Sequence, residues 1–191
     1  MEHPTSLNPG SPEGAAAAVA RSGVRLRLAR RRDARAWHAL QRSIYEEGRW
    51  FVGDGPPAEA ALAGRLQVQP LHRGVVWLAE RGGALVGWCE VGRLQPERLQ
   101  HVALVTIAVA AGERRRGVGR ALMAQAEAWA REQGVRKLSL HVRAGNAGAL
   151  ALYRRCGYVV EGVERGQVDA GDGFEDNLIM AKHLVAPEAP A

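Results

Sequence analysis

The chain of 191 residues is short of several things at once. Its two cysteines, Cys89 and Cys156, are too few for a disulfide scaffold and fit a reducing compartment. Its only lysines are Lys137 and Lys182, so arginine supplies almost all of the 26 basic residues. Aromatic residues are 5% of the chain and do not interleave with the basic segments, as base stacking would require, which argues against a nucleic-acid partner. The longest apolar stretch, Val102 to Ala111, is interrupted by Thr106 and is too short to span a bilayer. The run from Ala15 to Ala20 is shorter than the core of an export signal and follows Glu13 rather than a basic segment. A cytoplasmic protein without membrane contact is expected. The histidines show no HExxH or other tight ligand spacing, and no metal site is inferred.

What is present reads as globular. Hydrophobic residues at 47% and charged residues at 24% exclude a disordered chain and a coiled coil. The net charge of +6 rests on arginine, whose planar fork grips phosphate, so an anionic ligand is expected. Residues 1–22 are rich in Pro, Gly, Ser and Ala without a hydrophobic period and read as a disordered leader. Residues 185–191 read as a short tail, which leaves 23–184 as a single domain.

Within that domain the period switches repeatedly. Val24, Leu26 and Leu28 alternate with arginines, as in a strand. Asp33 can cap a helix through Trp37, Leu40 and Ile44, and residues 58–68 read as a second helix. Residues 75–80 and 85–91 flank Gly82-Gly83, a hairpin signal. His101–Ala110 is nearly continuous in apolar residues, as in a strand buried on both faces. Gly117–Gln133 has helical period, with Arg120, Glu127 and Arg131 on the outer face. A strand at 136–143, a helix from Asn146 to Cys156 and two strands near 158–165 and 174–183 complete the order. The predicted class is α/β (α+β): a mixed sheet of about seven strands with helices on both faces.

The stretch IAVAAGERRRGVGR at 107–120 is the most informative. A buried strand ends, a basic glycine turn follows and a long helix begins. A helix start offers unpaired N–H groups and partial positive charge to an anion. Gly117 and Gly119 leave the backbone open, and Arg114, Arg115, Arg116 and Arg120 add charge at the rim. The pattern is neither the P-loop nor the dinucleotide fingerprint.

RRRGVG at 114–119 resembles the Arg/Gln-x-x-Gly-x-Gly/Ala signature of the GNAT superfamily of N-acetyltransferases. NAGALALYRRCGY at 146–158 is similar to its second signature, with Tyr158 where Phe is commoner. The C-terminal stretch resembles the branch of phosphinothricin-type and ribosomal-protein-type enzymes. The resemblance covers about 23–184 and implies a sheet splayed at its centre, acetyl transfer from acetyl-CoA to a primary amine by direct attack, and a homodimer.

It also implies roles. The diphosphate of CoA would rest on the backbone of Arg115 to Arg120, including Gly117, Val118 and Gly119, with the pantetheine arm along Ile107 and Val109 and further contacts at Asn146 and Ala149. An N–H near Ile107 or Ala108 would hold the oxyanion. Tyr153 matches the family's general acid; a tyrosine here also packs simply as a ring. For the base, Glu90 and His101 are the leading candidates, beside Glu46 or Glu47 and a water chain to a remote carboxylate. Glu46 and Glu47 lie near a helix end that disfavours negative charge, which with Trp50 and Phe51 points to an acceptor site; an exposed acidic turn is the plainer reading. Neither cysteine has an evident activating base, so covalent catalysis is not expected. A non-catalytic CoA- or RNA-binding module of this fold, or an enzyme using another acyl-CoA, are the competing readings.

Overall fold

The computed structural model describes residues 11–53, 55–68 and 74–185. Seven strands form one sheet in the order β1-β2-β3-β4-β5-β7-β6. They are β1 (Arg25–Leu28), β2 (Gly74–Arg81), β3 (Ala84–Arg93), β4 (Val102–Val109), β5 (Lys137–Arg143), β6 (Val159–Asp169) and β7 (Phe174–His183). Every neighbouring pair is antiparallel except β4 and β5. The helices are α1 (Pro12–Ser22), α2 (Ala34–Tyr45), α3 (Glu59–Val68), α4 (Val118–Glu132) and α5 (Ala147–Arg155). The mixed sheet with helices on both faces is the predicted one. Among the described residues no helix is long and apolar enough to cross a membrane.

Two cores follow from the alternation of the strands. On one face Trp37, Leu40 and Ile44 of α2 and Leu62 and Leu66 of α3 pack on Val76, Leu78 and Trp88. On the other, Leu122, Met123 and Ala126 of α4 and Leu150 and Tyr153 of α5 pack on Cys89, Val91, Ala103, Leu138 and Leu140.

Three expectations need correction. The leader is not devoid of structure: Pro12–Ser22 is helical, with Ser11 Oγ accepting from Gly14 N at 3.0 Å and Gly23 closing the helix at φ +63°. Its alanines permit a close approach in which Ala15 and Ala18 meet Ala124 and Ala128 of α4. The part of the leader before Ser11, and the tail beyond Val185, lie outside the described residues. Because α1 covers α4, Glu127 is not on an open face but 1% exposed, with Lys182 Nζ at 2.7 Å. Lys182 also donates to the Cys156 carbonyl (2.7 Å), and Lys137 pairs with Glu161 (2.5 Å). Asp33 does not cap α2; its carboxylate accepts from Arg30 N (2.7 Å) and the Arg27 guanidinium (2.7 and 2.8 Å).

Candidate active site

β4 and β5 run side by side only briefly. Their register covers Val102↔Lys137, Ala103↔Leu138 and Leu104↔Ser139 and then stops, while both strands continue. The sheet is split from that level to the glycine turn. Val102 O accepts from Leu94 N and Ala110 N donates to Val86 O, both on the β3 side. By alternation the peptide groups of Ile107 and Val109 face the split, whereas that of Ala108 faces β3. Of the three strand positions expected to meet a ligand, Ala108 is therefore turned away.

β4 is also less buried than its composition predicted. Ala103 and Val105 are covered by α4, but Leu104 is 42% exposed and Thr106 is exposed, because α2 and α3 stop short of this part of the opposite face.

At the end of β4 the chain turns through Ala111–Glu113 and enters α4 at Gly117, whose φ is +84°. Arg115 sits at φ +64°, a left-handed conformation that costs a non-glycine residue about 1–3 kcal/mol. The first helical bond is Ala121 N to Gly117 O (3.0 Å), and no side chain caps the helix. The N–H groups of Val118, Gly119 and Arg120 are thus left without helical acceptors. The two glycines do different work. A Cβ on Gly119 would lie 2.9 Å from Leu152 Cδ2, so this glycine lets α5 approach α4. A Cβ on Gly117 would meet Ser22 Cβ at 3.4 Å as well as being strained.

The four rim arginines also divide. Arg114 is bound to Glu47 by two short contacts (2.6 and 2.7 Å), donates to Val109 O and lies over the Trp50 ring at 5.4 Å. Arg116 pairs with Glu113 (3.1 Å), which also holds Arg81 (2.8 Å). Of these four, Arg115 and Arg120 have no ion pair among the described residues. The residues fit an anion: an uncapped helix start, an open backbone at Gly117 and two free guanidinium groups.

On the same face of the sheet, Tyr153 of α5 is 6% exposed, 6.1 Å from the Tyr158 ring. Burial pushes its phenol well above the usual range, with a smaller push from the nearby Cys89 thiol. Cys89 is opposite Ile107 in the register, so this ring lies alongside the split. Among the described residues nothing binds the Tyr153 hydroxyl to a backbone carbonyl. Asn146 is a true N-cap: its Oδ1 accepts from Ala149 N at 3.0 Å, so both of these expected ligand contacts are joined to each other. Burial also pushes the Cys156 thiol up to about 11.

The opposite face collects the other predicted groups unevenly. Glu90 is level with Thr106 in the register, two positions beyond the end of β4–β5 pairing. Burial raises its carboxyl above the usual range, against the pull of Arg65 at 3.1 Å. His101 is not brought to the split. It precedes β4 at the paired end, and its carbonyl accepts from Arg136 and Lys137. Five residues separate it from Thr106, about 17 Å of strand. Glu46 faces solvent beside Arg42 (3.8 Å). Glu47 is not free to hold a cationic amine, since Arg114 holds its carboxyl below the usual range, with Trp50 Nε1 as a second donor at 2.6 Å. The charge at the α2 end is offset from a distance in sequence. Phe51 forms an apolar wall here, stacked between Tyr45 (4.7 Å) and Trp88 (5.9 Å).

One group escaped sequence reasoning. His141 of β5 is level with Thr106 across the split, because the β4–β5 register would continue to that pair. Its Nδ1 lies 3.2 Å from Asn177 Nδ2 and 3.5 Å from Glu164 Oε2. Its side chain is half-exposed, and its partners come from β6 and β7.

Comparison with known proteins agrees with this geometry. The chain is 40% identical over 83 residues to the ribosomal protein bS18-alanine N-acetyltransferase of Escherichia coli, covering 44% of this chain and 56% of that protein. It thus spans little more than half the length of that relative. It is 38% identical over 125 residues to the N-alpha-acetyltransferase RimI of Mycobacterium tuberculosis, covering 65% of this chain and 75% of the relative. The crystal structure of a ribosomal-protein-alanine N-acetyltransferase from Brucella melitensis superposes with a TM-score of 0.77 at 28% identity, over 83% of this chain and 99% of the other. The model of the acetyltransferase (GNAT) family matches residues 35–158, a segment that contains the split strands, the glycine turn and Tyr153. With sequence, fold and site in accord, the chain belongs to the GNAT acetyltransferase family.

Proposed function

We propose that the protein transfers an acetyl group from acetyl-CoA to a primary amine of a small molecule or peptide. The observation that carries this reading is the parting of β4 from β5 beyond Leu104 and Ser139, opening directly onto the uncapped start of α4. Acetyl-CoA supplies an acyl group activated as a thioester. The N–H groups of Val118 to Arg120, with Arg115 and Arg120, hold its diphosphate, and the Ile107 and Val109 peptides hold its amide-bearing arm as an added strand would. The Ile107 N–H is the donor left for the oxyanion, since Ala108 faces β3.

The split separates acid from base. Tyr153 stands on the α5 face, where a departing thiolate needs a proton. Burial keeps its phenol protonated before the step and makes the phenolate costly, so it acts chiefly as a hydrogen-bond donor to the sulfur. The amine arrives from the opposite face. Glu90 is assigned as its proton acceptor because the raised carboxyl lies closer to the working pH than an ordinary one. A cytoplasmic location completes the reading, supported by two unpaired cysteines.

The test is thiol release from acetyl-CoA with a panel of amines that includes peptides beginning with alanine, the acceptor named for the Escherichia coli relative. Turnover that is lost in Tyr153→Phe supports the enzyme. Binding of CoA with no turnover of any amine supports the non-catalytic module instead.

A further inference from the structure

Helix α1 does more than cover α4. It forms one wall of an open groove whose other walls are α4 and the end of α5. Arg21 of α1, Arg120 of α4 and Arg155 line it, over Ala17, Ala124 and Cys156. Three helices bring three cations to one place. None of the three has an ion-pair partner among the described residues. The one carboxylate in the groove, Glu127, is already held by Lys182 at 2.7 Å and Arg131 at 3.7 Å, so it does not neutralise them. Like charges converging on a groove repel one another until an anion sits between them, and guanidinium groups match phosphate oxygens in geometry as well as charge.

The position of the groove narrows the ligand. Arg120 belongs both to the groove and to the first turn of α4, so the two anion sites are contiguous. Helix α1 is also fastened to the glycine turn. Arg81 donates to the Ser22 carbonyl (2.8 Å) and pairs with Glu113 of the turn (2.8 Å), and Ser22 packs beside Gly117. Arg21 is therefore held at a set position relative to the place where a diphosphate would rest.

We infer that this groove binds a terminal phosphate monoester carried by the same molecule whose diphosphate lies on the start of α4. On the acetyl-CoA reading, upon which this inference rests, that group is the 3′-phosphate of the CoA ribose. Arg21 and Arg155 then select CoA over its dephosphorylated form, and the leader helix is part of the ligand site.

Calorimetry on the full chain tests this with CoA, dephospho-CoA and inorganic phosphate. The expected result is that CoA binds about tenfold more tightly than dephospho-CoA. In the Arg21→Gln, Arg155→Gln double variant that preference is lost and dephospho-CoA affinity is unchanged. Both side chains are exposed, so the fold should tolerate the change, and a thermal melt verifies it. Equal affinity of the wild type for CoA and dephospho-CoA overturns the inference while leaving the acetyl-CoA reading intact. So does a preference that persists in the double variant. Inorganic phosphate that binds the wild type alongside saturating CoA, and not the variant, also overturns it, because the groove then serves a separate anion. If neither nucleotide binds, the acetyl-CoA reading falls and this inference with it.

Discussion

The two halves of β4 have similar composition and opposite surroundings. Val102–Leu104 is laced to β5, and Ala103 at its centre is fully buried. Thr106–Val109 has β3 on one edge and no strand on the other. The first half shows what a strand does for stability. The second shows how a binding site can be made from the same material, by withholding a neighbour from backbone groups that still need partners. Apolar content alone does not distinguish the two.

Substitutions should separate these halves. The largest effect is expected on chemistry at the split: Tyr153→Phe should lower kcat by about a hundredfold or more while leaving the melting temperature close to that of the wild type. Steady-state rates with calorimetric melting check both parts. At the paired half the order reverses. Leu138, fully buried opposite Ala103, should cost about 3 kcal/mol as Leu138→Ala, read by urea unfolding. A smaller effect is expected at the turn, where charge reversal of Arg115 and Arg120 should weaken CoA binding about tenfold without loss of stability, measured by calorimetry.

A pH profile sharpens the comparison between the two faces. Glu90 is raised by burial, and a base works only without its proton. The rate should therefore rise with pH through a value above the ordinary carboxylate range, and Glu90→Gln should remove that limb of kcat/KM. Retention of the limb in Glu90→Gln and its loss in His141→Gln would move the role across the split. The smallest effect concerns Glu47, whose carboxyl is held low by Arg114. Its contribution is present above the ordinary carboxylate pKa and is lost as pH falls through the lower folded value. Glu47→Gln should cost about 1 kcal/mol at neutral pH and make acid unfolding less steep.

Much of this was legible along the chain. The two signatures, the order of elements from β1 onward and the Gly82-Gly83 hairpin are local patterns, and the structure has the elements and the hairpin where the sequence put them. The start and stop of α1 were legible as well: Ser11 with Pro12 at the start and Gly23 at the end are capping signals. An alanine run has no contrast between faces, so periodicity passed over it. What was not legible depends on pairs far apart. Arg114 and Glu47 are 67 residues apart, and each was assigned a ligand of its own before the fold joined them. His141 finds Glu164 on β6 and Asn177 on β7, which no spacing reveals. The split itself is a matter of register, and register is set by how strands cross, not by which residues they contain.

The scarcity of lysine takes on a chemical sense in this fold. Lys182 is almost enclosed, its ammonium held between Glu127 and the Cys156 carbonyl, and Lys137 is held by Glu161. An amine attacks a thioester only when it is reachable, and carboxylate partners keep both of these engaged. On the proposed acetyl transfer, neither of these two side chains then offers a readily available ε-amine that would compete with the acceptor.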